Sequence, residues 1–247
     1  MKQFLKSYSP DKKGFEPVNT RCSRGVPADE RGIIADLNFS YELAKAQAKL
    51  YPDLFLIHGT EISREPVKIG HYCALFTKDN NTIYDRDALQ TIRNARKQGA
   101  LITHNHPGWE RTSVDITEFE QKAFDENLID GVEIMNGYWF YPKAMQRCVD
   151  KKLYMLGCTD IHAQTNAYRN NGIFRTMTFI FAKENTLKEV RNALEKRMTL
   201  AYSSGNIAGE AQLLQDFFKA SVSYKFLSRS KKGAVYALTN STSIGYK

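Results

Sequence analysis

The chain of 247 residues can bury a sizeable core, and 42% hydrophobic with 25% charged residues is the composition of an ordinary globular protein. No apolar run is long enough to cross a bilayer, and the first residues lack the apolar core of a signal peptide, so we expect a cytoplasmic protein without a membrane partner. The formal charge of +8 favours an anionic partner, although basic residues spread along the chain also fit a solvated surface.

The four cysteines show no Cys-x-x-Cys spacing, which argues against a thiol metal site or a redox motif. Cys73, Cys148 and Cys158 lie in apolar segments, where a cysteine behaves as a small hydrophobic residue. We therefore expect free thiols and no disulfides.

Residues 1–35 are rich in proline, glycine and charge and show no hydrophobic period, which predicts an irregular segment. From residue 36 to about 205, strand-like and helix-like patterns alternate, which indicates a mostly parallel sheet or a β/α barrel. Residues 206–247 are predicted to form a β-rich appendage. The predicted strands of the middle region are 54–57, 70–76, 100–103, 131–135, 154–156, 177–182 and 199–202, and the predicted helices are 38–50, 85–98, 117–127, 142–151 and 187–197.

Four of the five histidines lie at the ends of predicted strands, together with two carboxylates. In parallel α/β proteins, the loops after the strands bring side chains from several strands to one ligand. Imidazoles and carboxylates are ligands for zinc, manganese or iron. A single histidine is more often structural, but the set predicts a metal site. Its members are Glu61, His71, His104, His106, Asp160 and His162.

An ordered series of short motifs over about residues 36–202 resembles the polymerase and histidinol phosphatase (PHP) superfamily of metal-dependent phosphoesterases. This resemblance implies a distorted (β/α)7 barrel with two or three ions at the strand ends, and hydrolysis of phosphate esters. The motifs are Gly59-Thr-Glu61, Gly70-His71, Asn105-His-Pro-Gly-Trp109, Gly131-Val-Glu-Ile-Met-Asn136 and Gly157-Cys-Thr-Asp-Ile-His162.

The resemblance assigns metal ligands residue by residue. It implies that Glu61 is a bridging carboxylate and that His71 and His106 bind one of its ions. Asp160 and His162 would contribute to the other ion positions, so the implied catalytic residues are Glu61, Asp160 and His162.

Other residues of the motifs have less defined roles. His104 stands where relatives often have an aromatic residue, which favours a supporting role or a substrate contact. Arg169 and Arg175 follow the Asp160 motif and are candidates for phosphate contact, or else surface arginines. For Glu133 and Asn136, a loop-fixing role and a catalytic role stay open.

One departure from the family concerns its first two motifs. PHP proteins begin with a strand that bears His-x-His, yet no histidine precedes His58 in this chain. We therefore expect a barrel that lacks its first one or two β-α units. A barrel open on one side exposes strand edges, which favours pairing with a second copy of the chain.

Two function hypotheses follow. The first is a phosphoesterase that hydrolyses a small phosphorylated substrate with a metal-activated water. The second is a degenerate PHP-like protein that acts as a metal-binding or interaction module. The missing histidines favour the second, and the intact later motifs favour the first. A nucleic-acid-binding module ranks below both, because no recognised binding motif is present.

Overall fold

A computed structural model describes residues 36–63, 68–162 and 175–244. The chain forms two compact units that divide between Val132 and Glu133. The predicted boundaries at residues 35 and 205 stay predictions. Residues 1–35 and the predicted phosphate contact Arg169 lie outside the described residues.

The described residues of the first unit form α-helices and a short 3-10 helix beside a sheet. Its helices are α1 (Phe39–Ala48), α2 (Ala88–Lys97) and α3 (Glu118–Asp125), and the 3-10 helix is Asn80–Thr82. Its strands are β1 (Gly59–Ser63), β2 (His71–Leu75), β3 (Leu101–Asn105) and the start of β4 (Gly131–Asn136).

The second unit begins within β4. Its other strands are β5 (Trp139–Phe140), β6 (Tyr154–Cys158), β7 (Met177–Ile180), β8 (Thr199–Ser203), β9 (Asn206–Gly209), β10 (Val222–Ser230) and β11 (Gly233–Asn240). Its helices are α4 (Pro142–Lys151), α5 (Leu187–Glu195) and α6 (Ala211–Ser221).

Strand direction in the first unit differs from the prediction. Strands β1, β2 and β3 pair antiparallel, and only the start of β4 runs parallel to β3. The expectation of a mostly parallel sheet was therefore wrong here. The mixed α/β class is confirmed, but no sheet closes into a barrel within the described ranges. The helical connection between β2 and β3 does not by itself impose a parallel crossover, which is why alternation misled the prediction.

The first predicted strand was also wrong in position. Residues 54–57 are not paired, and Leu54 is 53% exposed, while the strand begins at Gly59. A Cβ atom at position 59 would lie 2.5 Å from the Ala74 carbonyl oxygen on β2, so glycine permits the close approach of the two strands. An apolar run of four residues does not distinguish a strand from a loop that packs partly against a neighbour.

Helix α2 packs against this sheet through one apolar stripe. Leu89, Ile92 and Ala95 are buried, and the helix contacts β1 and β3. The Asp87 side chain accepts a hydrogen bond from the Leu89 N–H and caps the first turn. Burial of a leucine or isoleucine side chain contributes about 1.5–3 kcal/mol, so this stripe holds the helix beside the strands that carry the site.

The second unit contains antiparallel strands. Strand β8 pairs antiparallel with β7 and β9, although residues 177–202 were predicted to belong to a mostly parallel sheet or barrel. Strands β10 and β11 form an antiparallel hairpin within the region predicted to be β-rich. Among the described residues, Cys73, Cys148 and Cys158 are thiols outside any disulfide. None of the helices in the described ranges has the length and apolar character that a membrane crossing requires.

Candidate metal centre

The pairing of β1, β2 and β3 brings three candidate ligands together. His71 opens β2 and pairs with Ser63, near the end of β1, and with Asn105, the last residue of β3. Paired residues share one face of a sheet, as do residues two apart on a strand. Glu61 and His71 therefore lie on the same face, and His106 follows β3 directly. The antiparallel order, rather than parallel strand ends, creates this convergence.

The side chains of Glu61, His71 and His106 form a compact donor set. Their ligand atoms all lie within 4.8 Å of one another. The Glu61 Oε1 atom is 3.4 Å from His71 Nδ1 and 3.7 Å from His106 Nε2. The two imidazole rings meet edge to face with centroids 5.0 Å apart. One carboxylate and two imidazoles are a ligand set suited to zinc and similar divalent ions, so these residues fit a metal ion.

Asn105 fixes the orientation of Glu61. Its Nδ2 donates a hydrogen bond of 3.0 Å to Glu61 Oε1 and contacts Cys73 Sγ at 3.1 Å. Its Oδ1 accepts a hydrogen bond of 3.3 Å from the Cys73 N–H. Both ends of the amide are thus engaged, which restricts the rotation of the Asn105 side chain. Such supporting hydrogen bonds commonly orient metal ligands.

The surroundings of Glu61 favour its ionised form. Contacts with His106 and His71, followed by the hydrogen bond from Asn105, hold the pKa of Glu61 well below its usual range, although burial acts in the opposite direction. Metal ligation requires a deprotonated carboxylate. The residues around Glu61 therefore prepare the protonation state that a divalent ion needs.

A tight turn places Trp109 beside two of the ligands. The Trp109 N–H donates to the His106 carbonyl oxygen at 2.9 Å, which closes the turn His106-Pro-Gly-Trp109. His106 has a φ of 26°, an uncommon conformation for a residue other than glycine. The Trp109 ring centroid lies 5.2 Å from that of His71 and 5.4 Å from that of His106.

His104 lies in a buried polar group rather than in the donor set. It is 1% exposed, stacks on Tyr72 with centroids 5.0 Å apart, and has its Nε2 3.5 Å from Glu120 Oε1. Arg111 Nη1 donates to the same Glu120 oxygen at 2.5 Å. His104 and Arg111 also line the cavity beside His71 and His106. The supporting role and the substrate contact predicted for His104 both stay predictions.

Gly70 makes room for this arrangement. Its φ is +82°, in the left-handed region that favours glycine, and a Cβ atom there would lie 3.1 Å from His104 Nε2. The Gly70-His71 pair therefore has a structural explanation: the glycine permits the chain to turn over His104 just before the ligand on β2.

The remaining predicted site residues belong to the second unit. Asp160 has a φ of 50°, and its carbonyl oxygen lies 2.7 Å from Nδ1 of the exposed His162. Arg175 is exposed. Asn136 Nδ2 donates to Glu133 Oε2 at 2.9 Å, and both side chains are buried at the end of β4. That hydrogen bond is consistent with a loop-fixing role for this motif.

Sequence reasoning missed four residues that surround the metal centre or its supporting group. Asn105 and Trp109 lie within a quoted motif, but strand register and turn geometry decide their contacts. Glu120 had a detectable signal, since Thr117-x-x-Glu120 is a capping box with both hydrogen bonds formed. Arg111 had no detectable sequence signal, because its partner Glu120 is nine residues away along the chain.

One solved structure is similar to this chain in both sequence and fold. It is the crystal structure of a two-domain protein from Bacteroides vulgatus ATCC 8482 that contains a predicted PHP-like metal-dependent phosphoesterase. The two chains are 35% identical, and the TM-score is 0.81. The resemblance to the PHP superfamily is confirmed. The alignment covers 87% of this chain.

The same alignment spans only 64% of the Bacteroides protein, which is less than two thirds of its length. No family model matches this chain, and no curated protein matches it either. The PHP resemblance therefore rests on the ordered motifs and on this structural neighbour together.

Proposed function

We propose that the chain is a metal-dependent phosphoesterase of PHP type that hydrolyses a small phosphorylated substrate. The observation that carries the proposal is the donor set of Glu61, His71 and His106, whose ligand atoms lie within 4.8 Å of one another. The neighbour that contains a predicted metal-dependent phosphoesterase supports the reaction class. Zinc, manganese and iron all suit this mixture of carboxylate and imidazole ligands.

A divalent ion at such a site would supply hydroxide near neutral pH, because a metal ion lowers the pKa of the water that it coordinates. Glu61 offers an ionised oxygen, and the two histidines offer imidazole nitrogens. Asn105 holds the carboxylate in place through its 3.0 Å hydrogen bond. The turn at His106 fixes the third ligand relative to the strand that precedes it.

Further parts of the proposed site come from the family resemblance. We propose Asp160 and His162 as ligands for additional ions, with Glu61, Asp160 and His162 as the catalytic residues. Arg175 and Arg169 are proposed phosphate contacts, since a guanidinium can donate to two phosphoryl oxygens at once. We also propose that the chain pairs with a second copy of itself through an exposed strand edge.

The experiment that tests the proposed function combines metal analysis with hydrolysis. The purified chain is loaded with zinc or manganese, its ion content is measured, and hydrolysis of phenyl phosphate is followed in the same samples. We expect turnover that falls at least 100-fold in Glu61→Gln and in Asp160→Asn, because each variant removes an anionic ligand. The matched control is Glu118→Gln, an exposed carboxylate on α3, which should retain activity.

A second candidate function is a degenerate PHP-like module that binds one ion and has no turnover. One observation favours it: among the described residues, Glu61, His71 and His106 are the only such cluster of three or more. Catalysis by two-metal sites stabilises both the attacking and the leaving oxygen, which one ion does less well. One bound ion without hydrolysis of any phosphate ester would favour this candidate over the first.

A further inference from the structure

We propose that Trp109 is the surface on which the metal centre recognises a planar group of its substrate, so that aryl and heterocyclic phosphate esters are the preferred class. This inference rests on the proposed function, because it names the substrate of the same site. It assigns Trp109 a role in specificity, separate from metal ligation.

The position of Trp109 is set by the backbone rather than by a flexible loop. The hydrogen bond from its N–H to the His106 carbonyl oxygen closes a turn of four residues, and Pro107 restricts the backbone within that turn. Because His106 is itself a proposed ligand, an ion held there would lie near the indole ring, whose centroid is 5.4 Å from that of the His106 ring. A rigidly placed aromatic ring loses little conformational entropy when it contacts a ligand.

The ring contacts both proposed imidazole ligands yet stays accessible. Its centroid is 5.2 Å from His71 and 5.4 Å from His106, whereas 41% of the residue is exposed. A tryptophan that only supported the imidazoles would gain from being covered, since aromatic side chains contribute most when they are buried. The exposed part of the indole is therefore free to contact a ligand.

The Trp109 ring lines a cavity beside the proposed metal ligands. Trp109 lines it together with His71, His106 and Arg111. The anionic phosphoryl end of an ester suits a divalent ion that His71 and His106 would hold, whereas the indole provides a large flat apolar surface. A phosphate ester with a planar leaving group matches both parts, because its ring would stack on Trp109 beside the proposed ligands.

The main test compares two substrates in matched variants. The ratio of kcat/KM for phenyl phosphate to that for glycerol 2-phosphate is measured in the zinc-loaded wild type, Trp109→Leu and Trp109→Phe. Intrinsic reactivity of the two esters is the same in every protein, so changes in the ratio report recognition. We expect the ratio to fall about tenfold in Trp109→Leu, as loss of one stacking contact predicts, and to be largely retained in Trp109→Phe.

A matched control is available because the chain has two tryptophans, and the other, Trp139, is 71% exposed on β5. Trp139→Leu should leave the ratio unchanged. An equal ratio in the wild type and Trp109→Leu would overturn the proposal, even if both esters are hydrolysed.

A binding measurement separates this proposal from the proposed function. In Trp139→Phe, Trp109 is the single tryptophan, so its fluorescence reports contact with a ligand. Phenylphosphonate and methylphosphonate, which resist hydrolysis, are titrated into the zinc-loaded variant. We expect tighter binding of phenylphosphonate by about tenfold and quenching of the indole emission. Equal affinities for the two phosphonates, or no binding of either, would overturn the role of Trp109. Tighter binding of phenylphosphonate without turnover of any ester would count against hydrolysis alone.

Discussion

Asn105 Nδ2 donates a hydrogen bond of 3.0 Å to Glu61 Oε1, and this contact ties the end of β3 to the proposed carboxylate ligand on β1. Removal of the amide in Asn105→Ala should lower the affinity for zinc by 10- to 100-fold, the range typical for loss of a group that orients a ligand. Isothermal titration calorimetry with zinc measures this change.

The control for Asn105 is Asn192→Ala on α5. Its amide also donates to a glutamate, Glu189 Oε2, at 3.3 Å, but Glu189 is not a proposed ligand. We expect its zinc affinity to equal that of the wild type. Equal losses in both variants would mean that the Asn105 effect arises from general destabilisation.

The buried Glu120 carboxylate links His104 and Arg111. In Glu120→Gln, a glutamine can still complete the capping box of α3, but Arg111 loses its anionic partner. Because removal of one member of a buried ion pair leaves the other charge uncompensated, the free energy of unfolding should fall by about 3 kcal/mol.

Urea denaturation measures that change, with Glu118→Gln on the same helix as the control. The Glu118 side chain is 87% exposed and pairs with an exposed lysine, Lys122. No measurable change in stability is expected for it. A Glu120→Gln protein as stable as the control would show that the buried pair contributes nothing net.

Gly70 and Gly99 form a matched pair for testing the space around His104. Both adopt left-handed backbone conformations, at φ +82° and +87°, but only at position 70 would a Cβ meet a neighbour. Gly99→Ala should cost about 1 kcal/mol through backbone strain alone. Gly70→Ala should cost roughly 1–3 kcal/mol more, because His104 is fixed by Tyr72 and Glu120 and cannot move without loss of packing. Thermal unfolding of the two variants gives the difference, and equal costs would contradict the proposed clash.

Tyr141 provides a prediction about pH. Burial raises its pKa to about 12, with the nearby charges of Glu133 and Asp160 acting in the same direction. An unfolded tyrosine loses its proton near pH 10. The folded protein therefore keeps a proton that the unfolded chain has lost, and the stability due to neutral Tyr141 falls as pH rises from about 10 to about 12.

Urea denaturation across that pH range tests the sign. The wild type should lose stability more steeply than Tyr141→Phe, which has no phenolic proton to lose. Parallel curves for the two proteins would show that the Tyr141 hydroxyl has an ordinary pKa.

The sequence could predict the chemistry of the site better than its geometry. Periodicity placed α1 to α5 within a few residues, and the family resemblance grouped Glu61, His71 and His106, whose side chains lie together in the structure. Strand direction was not predictable, since the antiparallel pairing of β2 with β3 joins residues that lie 26 to 34 positions apart in the sequence. The roles of Asn105 and Trp109 depend on that register and on one turn, which local patterns do not encode.

Crystallographic anomalous scattering at the zinc edge tests the central claim most directly. Crystals of the chain grown with zinc should show an anomalous peak about 2.0–2.2 Å from a Glu61 carboxylate oxygen and from a nitrogen of both His71 and His106. The peak should disappear in crystals of Glu61→Gln. A peak absent from this position, or ions bound only by other residues, would contradict the assignment of a metal centre to these three side chains.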